Sequence, residues 1–400
     1  FSTDQMSALT SIQVAALTTL QVSQLGSTSL NALTSTQFAA LGTQQLGALT
    51  TSQVSTLETA DLVAIGSTGL RALNSGHIAA LSTDELVALS SAQVGSLTSV
   101  QMAGLNSVQI AAIETGDLRA LSTTTLRGLG TDQVNAFTSD QMAALTTAQV
   151  AAISTLQVGN LSSTTLNALT SSQFAVLNSQ QLGSLGTTQV STLETADLVA
   201  IGTAGLRAWN SSQIAALTTG EIVALTSAQV GSLLSTQMAG LNSSQIAAIE
   251  TGDLRSLSTA TLRGLATDQL NALTTDQVVA LTSTQVQALT TLQMGNLTST
   301  NLNALTSSQF ANLASNQVGA LSSTQVGTLE TADLVAIGST GLRAWNSGQV
   351  GALSTDGMVA LTSVQVGSLL STQIAGLNSS QIAAIETGDV RALVTSTLRS

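Results

Sequence analysis

The chain has 400 residues with nine Arg, no Lys, twenty-one acids and a single His, which gives a formal net charge of −12. That balance repels nucleic acid and anionic membrane, and the absence of Cys removes disulfides and thiol chemistry. Ser, Thr, Gln and Gly interrupt every apolar run, so no stretch reaches the roughly 20 apolar residues of a membrane span.

From Phe1 onward an eight-residue pattern repeats without insertion or deletion, and fifty octads account for the whole chain. The stretch Leu273 to Ala280, Leu-Thr-Thr-Asp-Gln-Val-Val-Ala, shows it clearly. Positions one and six are apolar in every octad, position three is always Ser or Thr, position five is most often Gln and position eight is mostly small. A fixed period of this kind signals a solenoid in which each unit touches its neighbours. No Pro-rich run or charge block marks a linker, so residues 1–400 read as a single repeat array. The chain opens inside a repeat with neither an initiator Met nor a signal-peptide pattern, as a piece of something longer would.

Within the octad, the elements follow in order. One continuous helix is excluded, because eight residues at about 100° overshoot two turns by about 80° and the apolar stripe would circle the rod. Something must break the helix once per octad. The Ser or Thr at position three suits an N-cap; where position two is Thr, as at Thr274, the pair Thr274 and Gln277 also matches a Thr-x-x-Gln capping box. Positions four to eight are rich in Ala and Gln, which favour helix. Gly or Asn at the next position two, as in Gly66, Asn74 and Asn106, suits a left-handed exit. All nine Arg, including Arg71, Arg119 and Arg127, sit at position seven, while acids sit at positions two, four and five, as a helix dipole prefers.

The expected fold is therefore all-α, a solenoid of short helices with one helix per octad. The alternative is a β-solenoid; against it, positions one and six have opposite strand parity and would face opposite sides. Two large apolar side chains per octad offer roughly 3 to 6 kcal/mol on burial, whereas ordering eight residues costs on the order of 8 to 16 kcal/mol. An octad cannot fold alone, and stacking must supply the rest, helped by the small residue at position eight.

Along the chain a longer period overlies the octads: 1–136, 137–272 and 273–400 are related copies, the last one octad short. The segment beginning at Leu57 returns at Leu193 and Leu329. In every copy two acidic octads recur: Glu58 with Asp61 and Glu114 with Asp117, then Glu194 with Asp197 and Glu250 with Asp253, then Glu330 with Asp333 and Glu386 with Asp389. These are the only candidate metal ligands. Calcium needs several oxygens at once, so neighbouring coils or chains would have to complete any shell; the plainer reading is solvated first-turn charge. Asp117 with Arg119, like Asp253 with Arg255, is a candidate ion pair across coils. His77 stands where Gln is usual and has no second nitrogen or thiol ligand. Trp209 and Trp345 replace Leu73 of the first copy and read as core fillers. Ser and Thr are abundant, but no positioned base activates one as a nucleophile, and no irregular octad offers a place for an enzyme site.

The octads resemble the Leu-Thr-x-x-Gln-Val-x-Ala-Leu tracts of very large secreted or surface-exposed bacterial repeat proteins of the adhesin-like kind, a likeness that covers the whole chain. Leu273 to Leu281 is also similar to the first helix of the plant-pathogen TAL effector repeat. The chain departs from that repeat in lacking its 34-residue period, its Gly-rich base-reading loop, its second helix and any Lys. The first likeness implies an extracellular or cell-surface structural role, and the second a helical octad. The expected function is a non-catalytic filament, sheath or stalk formed by self-association. It would need no cofactor, no nucleic acid, no membrane insertion and no small-molecule substrate. The alternative is a surface adhesin or ice-binding face made of Ser/Thr rows.

Overall fold

The computed structural model describes residues 1–394; the end of the last octad, with Arg399, lies outside the described residues. Among them are 49 short helices, one per octad from Thr3–Ser7 to Thr387–Val390, and no strand. The helices form two compact units, Phe1–Ile201 and Gly202 onward. Each unit is by itself an all-α solenoid, and the β-solenoid alternative does not hold.

The cap lies one residue earlier than position three. Thr10, Thr18 and Thr274, all at position two, are the N-caps, and the Ser or Thr at position three is the first helical residue. Geometry decides this register. A cap side chain bonds the N–H of the third helical residue, which from position two is the Gln of position five. From position three it would be the apolar residue of position six, which has no side-chain oxygen to return the bond. Each helix then ends within about one and a half turns.

The expected left-handed exits at Asn are also corrected. Asn74 and Asn106 have φ of −80° and −83° and act as N-caps, their Oδ1 accepting from the N–H of His77 and Gln109 at 3.0 Å each. The ordinary corner is a pair of extended residues, such as Leu89 (ψ 139°) followed by Ser90 (ψ 155°). Among the described residues positive φ occurs at Gly66, Gly202 and Gly338. Gly66 is thus the left-handed exit that the sequence pattern suggests, and Gly202 and Gly338 repeat it at the long period. There position five is Gly instead of Gln, and Ile65 lies against it: a Cβ on Gly69 would stand 2.7 Å from the Ile65 Cβ. The chain runs from Thr59–Ala64 through helical Ile65 into Gly66–Ala72 with no capping bond, and only Gly adopts the turn at low cost.

Within each unit a helix packs on those three octads before and after it. Ser91–Ser96 lies against Gly66–Ala72 and Thr115–Leu118, and Ser227–Ser232 against Gly202–Arg207 and Thr251–Leu254. Hydrogen bonds between coils join residues 25 to 31 apart, so one turn of the coil holds between three and four octads. The core is formed by positions one and six, with Leu121 and Leu126 at 3% and 2% exposure. Trp209 and Trp345 are buried in it, and the Trp345 Nε1–H donates to the Val318 carbonyl at 2.9 Å. Position eight favours small residues because the preceding coil passes against it. A Cβ on Gly104 or Gly376 would stand 2.5 Å from the carbonyl oxygen of Ser75 or Ser347.

Candidate functional site

The residue that organises these contacts is the Gln at position five. In Thr147–Ala152 the Gln149 Oε1 accepts from the Thr146 N–H at 2.9 Å, and the Gln149 N–H donates to the Thr146 Oγ1 at 3.2 Å, closing a capping box. Its Nε2 then donates to the carbonyls of Leu118 (2.8 Å) and Leu121 (2.9 Å), at the end of a helix one coil earlier. One side chain thus caps the start of its own helix and the end of another. The short helices leave many backbone groups unpaired, and this arrangement satisfies two carbonyls and an N–H with one buried amide. Gln101, Gln173, Gln285 and Gln325 repeat it with the same separations of 31 and 28 residues. Gln5, Gln13 and Gln21 close their capping boxes but are exposed.

Where position five is not Gln, the ladder changes. All six Asp of the acidic octads are buried there, and each accepts from a Ser hydroxyl 26 residues earlier: Asp61 from Ser35 (2.8 Å), Asp197 from Ser171 (2.7 Å), Asp333 from Ser307 (3.0 Å), and Asp117, Asp253 and Asp389 from Ser91, Ser227 and Ser363. Burial pushes the carboxyls of Asp61, Asp197 and Asp333 above the ordinary value; the Ser hydroxyl opposes this and the neighbouring Glu58, Glu194 or Glu330 adds to it. Glu58, Glu114, Glu194, Glu250, Glu330 and Glu386 are exposed N-cap residues without a side-chain capping bond. Among the described residues no three His, Asp or Glu side chains gather at one place. A calcium ion at any of these octads would take its remaining oxygens from hydroxyls, carbonyls or water.

The proposed ion pair of Asp117 with Arg119 divides between other partners. Asp117 accepts from Ser91, while the Arg119 Nε–H donates to the Ala144 carbonyl at 2.8 Å; Arg255 does the same to Ala280 at 2.9 Å. His77 is buried in place of Gln, its Nδ1 accepting from the Asn74 N–H at 3.3 Å. Burial lowers its pKa, opposed by a hydrogen bond to the Leu49 carbonyl. Glu85 and Glu221 are the discordant members. The Glu85 Oε2 accepts from the Ser82 N–H at 2.6 Å, but Oε1 of both residues is buried without a partner among the described residues.

Sequence reasoning missed the Gln–carbonyl ladder and the Ser–Asp pairs. Their signal is a recurrent Gln beside an invariably apolar position six, and a Ser at position three, three octads before each position-five Asp. Chemically the arrangement is a repeating hydrogen-bonded surface, and no helix among the described residues is long and apolar enough to cross a membrane. A family model described as the ALTTAQ repeat matches residues 22–59, 54–91, 75–107, 110–147, 150–187, 190–227, 246–283 and 326–363. No curated protein matches the chain.

Proposed function

Because the chain belongs to the ALTTAQ repeat family, matched over more than half its length, we propose that it is a non-catalytic structural element, extracellular or at the cell surface, that self-associates into a filament, sheath or stalk. The observation that carries this reading is the ladder. Each coil offers the one before it a row of buried amides for a row of carbonyls, over a core that is itself continuous from coil to coil. Such an interface is used again at every octad, so contacts multiply along the coil.

The ice-binding alternative needs a flat, rigid Thr lattice, which a strand coil supplies more readily than short helical octads. Negative-stain microscopy and light scattering on the purified chain test the proposal. Regular extended assemblies support it, and dispersed monomers at high concentration, with and without calcium, count against it.

A further inference from the structure

We propose that two recurrent surface grooves in the second unit, one at Arg207 and Leu234 and the other at Arg343 and Leu370, dock the acidic octads of a second copy of the chain. The inference rests on the self-association reading and names the surfaces that meet.

The grooves have volumes of about 300 Å³ and 370 Å³, and their common lining is an Arg, the run Gly-Ser-Leu-Leu-Ser and little else. They stand one long period apart, since Arg343 is to Arg207 and Leu370 to Leu234 as 136 residues on. The leucines are the anomaly. Leu234 and Leu370 occupy N-cap positions, with φ of −83° and −81°, and form no side-chain capping bond. In the first copy the same place is Thr98, whose backbone is nearly identical (φ −86°) and whose hydroxyl caps Gln101 at 3.3 Å. The two later copies thus forgo a capping hydroxyl and leave a leucine 41% and 37% exposed. Folding gains nothing from that exchange, whereas an apolar anchor beside a guanidinium is what an interface uses.

Charge complementarity selects the occupant. The chain is strongly acidic, and of its recurring exposed acids Glu58, Glu194 and Glu330 are each followed five residues later by a valine, Val63, Val199 or Val335, exposed to 40%, 40% and 42%, where Glu114, Glu250 and Glu386 are followed by Arg. An exposed carboxylate and an exposed aliphatic group in one octad complement an Arg and a Leu that line one groove. Both features recur at the same 136-residue spacing in the sequence, and the three acids of a second copy outnumber the two grooves that would receive them.

The experiment is sedimentation velocity on the full chain and two variants across a concentration series at low and high salt, with far-ultraviolet circular dichroism on each. Leu234→Thr with Leu370→Thr restores the caps, so it should melt no lower than the parent yet associate about tenfold more weakly. Arg207→Glu with Arg343→Glu should weaken association similarly, reverse its salt dependence because like charges now meet, and be rescued by mixing with a chain carrying Glu58→Arg, Glu194→Arg and Glu330→Arg. If the parent associates and both variants associate equally well, the grooves are not the contact, and only this inference falls. If the parent is monomeric throughout, the self-association reading falls with it.

Discussion

Replacing Glu85 by Gln should stabilise the protein, although Glu and Gln have nearly the same shape. Glu85 is 4% exposed; one carboxylate oxygen accepts from the Ser82 N–H and the other has no partner among the described residues. Its neighbours in the ladder show what belongs there. Gln93 donates to the Leu62 carbonyl at 3.0 Å, and Gln101 donates to Leu70 at 2.8 Å and Leu73 at 2.7 Å. By the same register a Gln at position 85 reaches the carbonyls of Val54 and Leu57. Relieving an unpaired buried oxygen returns about 1–3 kcal/mol, and each new hydrogen bond adds about 0.5–1.5 kcal/mol. The expected gain is about 2–6 kcal/mol, or a rise in Tm of about 4–24 °C for a unit of this size. Thermal and urea melts followed by circular dichroism at neutral pH measure it, with Glu221→Gln as an independent repeat and Gln93→Glu as the reverse change. A Glu85→Gln protein that melts at or below the parent temperature, or a Gln93→Glu protein that loses nothing, would refute the ladder as a source of stability.

Leu121→Asp or Leu126→Asp should cost several kcal/mol by burying a carboxylate without a partner, while Thr124→Asp, at an exposed position, should change the urea midpoint little. His77 has a lowered pKa, so its contribution is present above the unfolded value near 6.5 and is lost as the pH falls from there through the folded pKa. His77→Gln should therefore raise the melting temperature measured below pH 6.5 relative to that at pH 8. Asp61, Asp197 and Asp333 have raised pKa values, so their contribution is greatest when protonated below about 3.8 and is lost as the pH rises through the folded value. Changing all three to Asn keeps the acceptor for Ser35, Ser171 and Ser307 and should raise the urea midpoint at neutral pH while leaving it nearly unchanged at pH 3.5.

The helical octad and its core were legible in the sequence because both are local. Positions one and six share a face only in a helix, and Thr274 with Gln277 is a capping box that can be recognised within four residues. The choice of position two over position three as the cap was also local, and it follows once the Gln oxygen is required to return the bond. The long-range partners were not legible. Gln149 gives no sign that its amide reaches Leu118 and Leu121, because that depends on how many octads make a turn, and no feature of one octad sets that number. The Ser91–Asp117 pairing is hidden for the same reason. The left-handed exit at Gly66 was legible, but its restriction to Gly66, Gly202 and Gly338 was not: Gly42 and Gly186 occupy the same octad position with φ of −76° and −75°. What separates Gly66 from them is Gly69 at position five, against which Ile65 packs.

The central claim, that a buried row of Gln amides stitches each coil to the one before it, is tested most directly by hydrogen exchange of Gln side-chain amide protons, resolved by nuclear magnetic resonance. Gln149, 3% exposed and donating to two carbonyls, should exchange orders of magnitude more slowly than Gln13 and Gln21, which are exposed on the first coil. Equal, rapid exchange at all three would contradict the account.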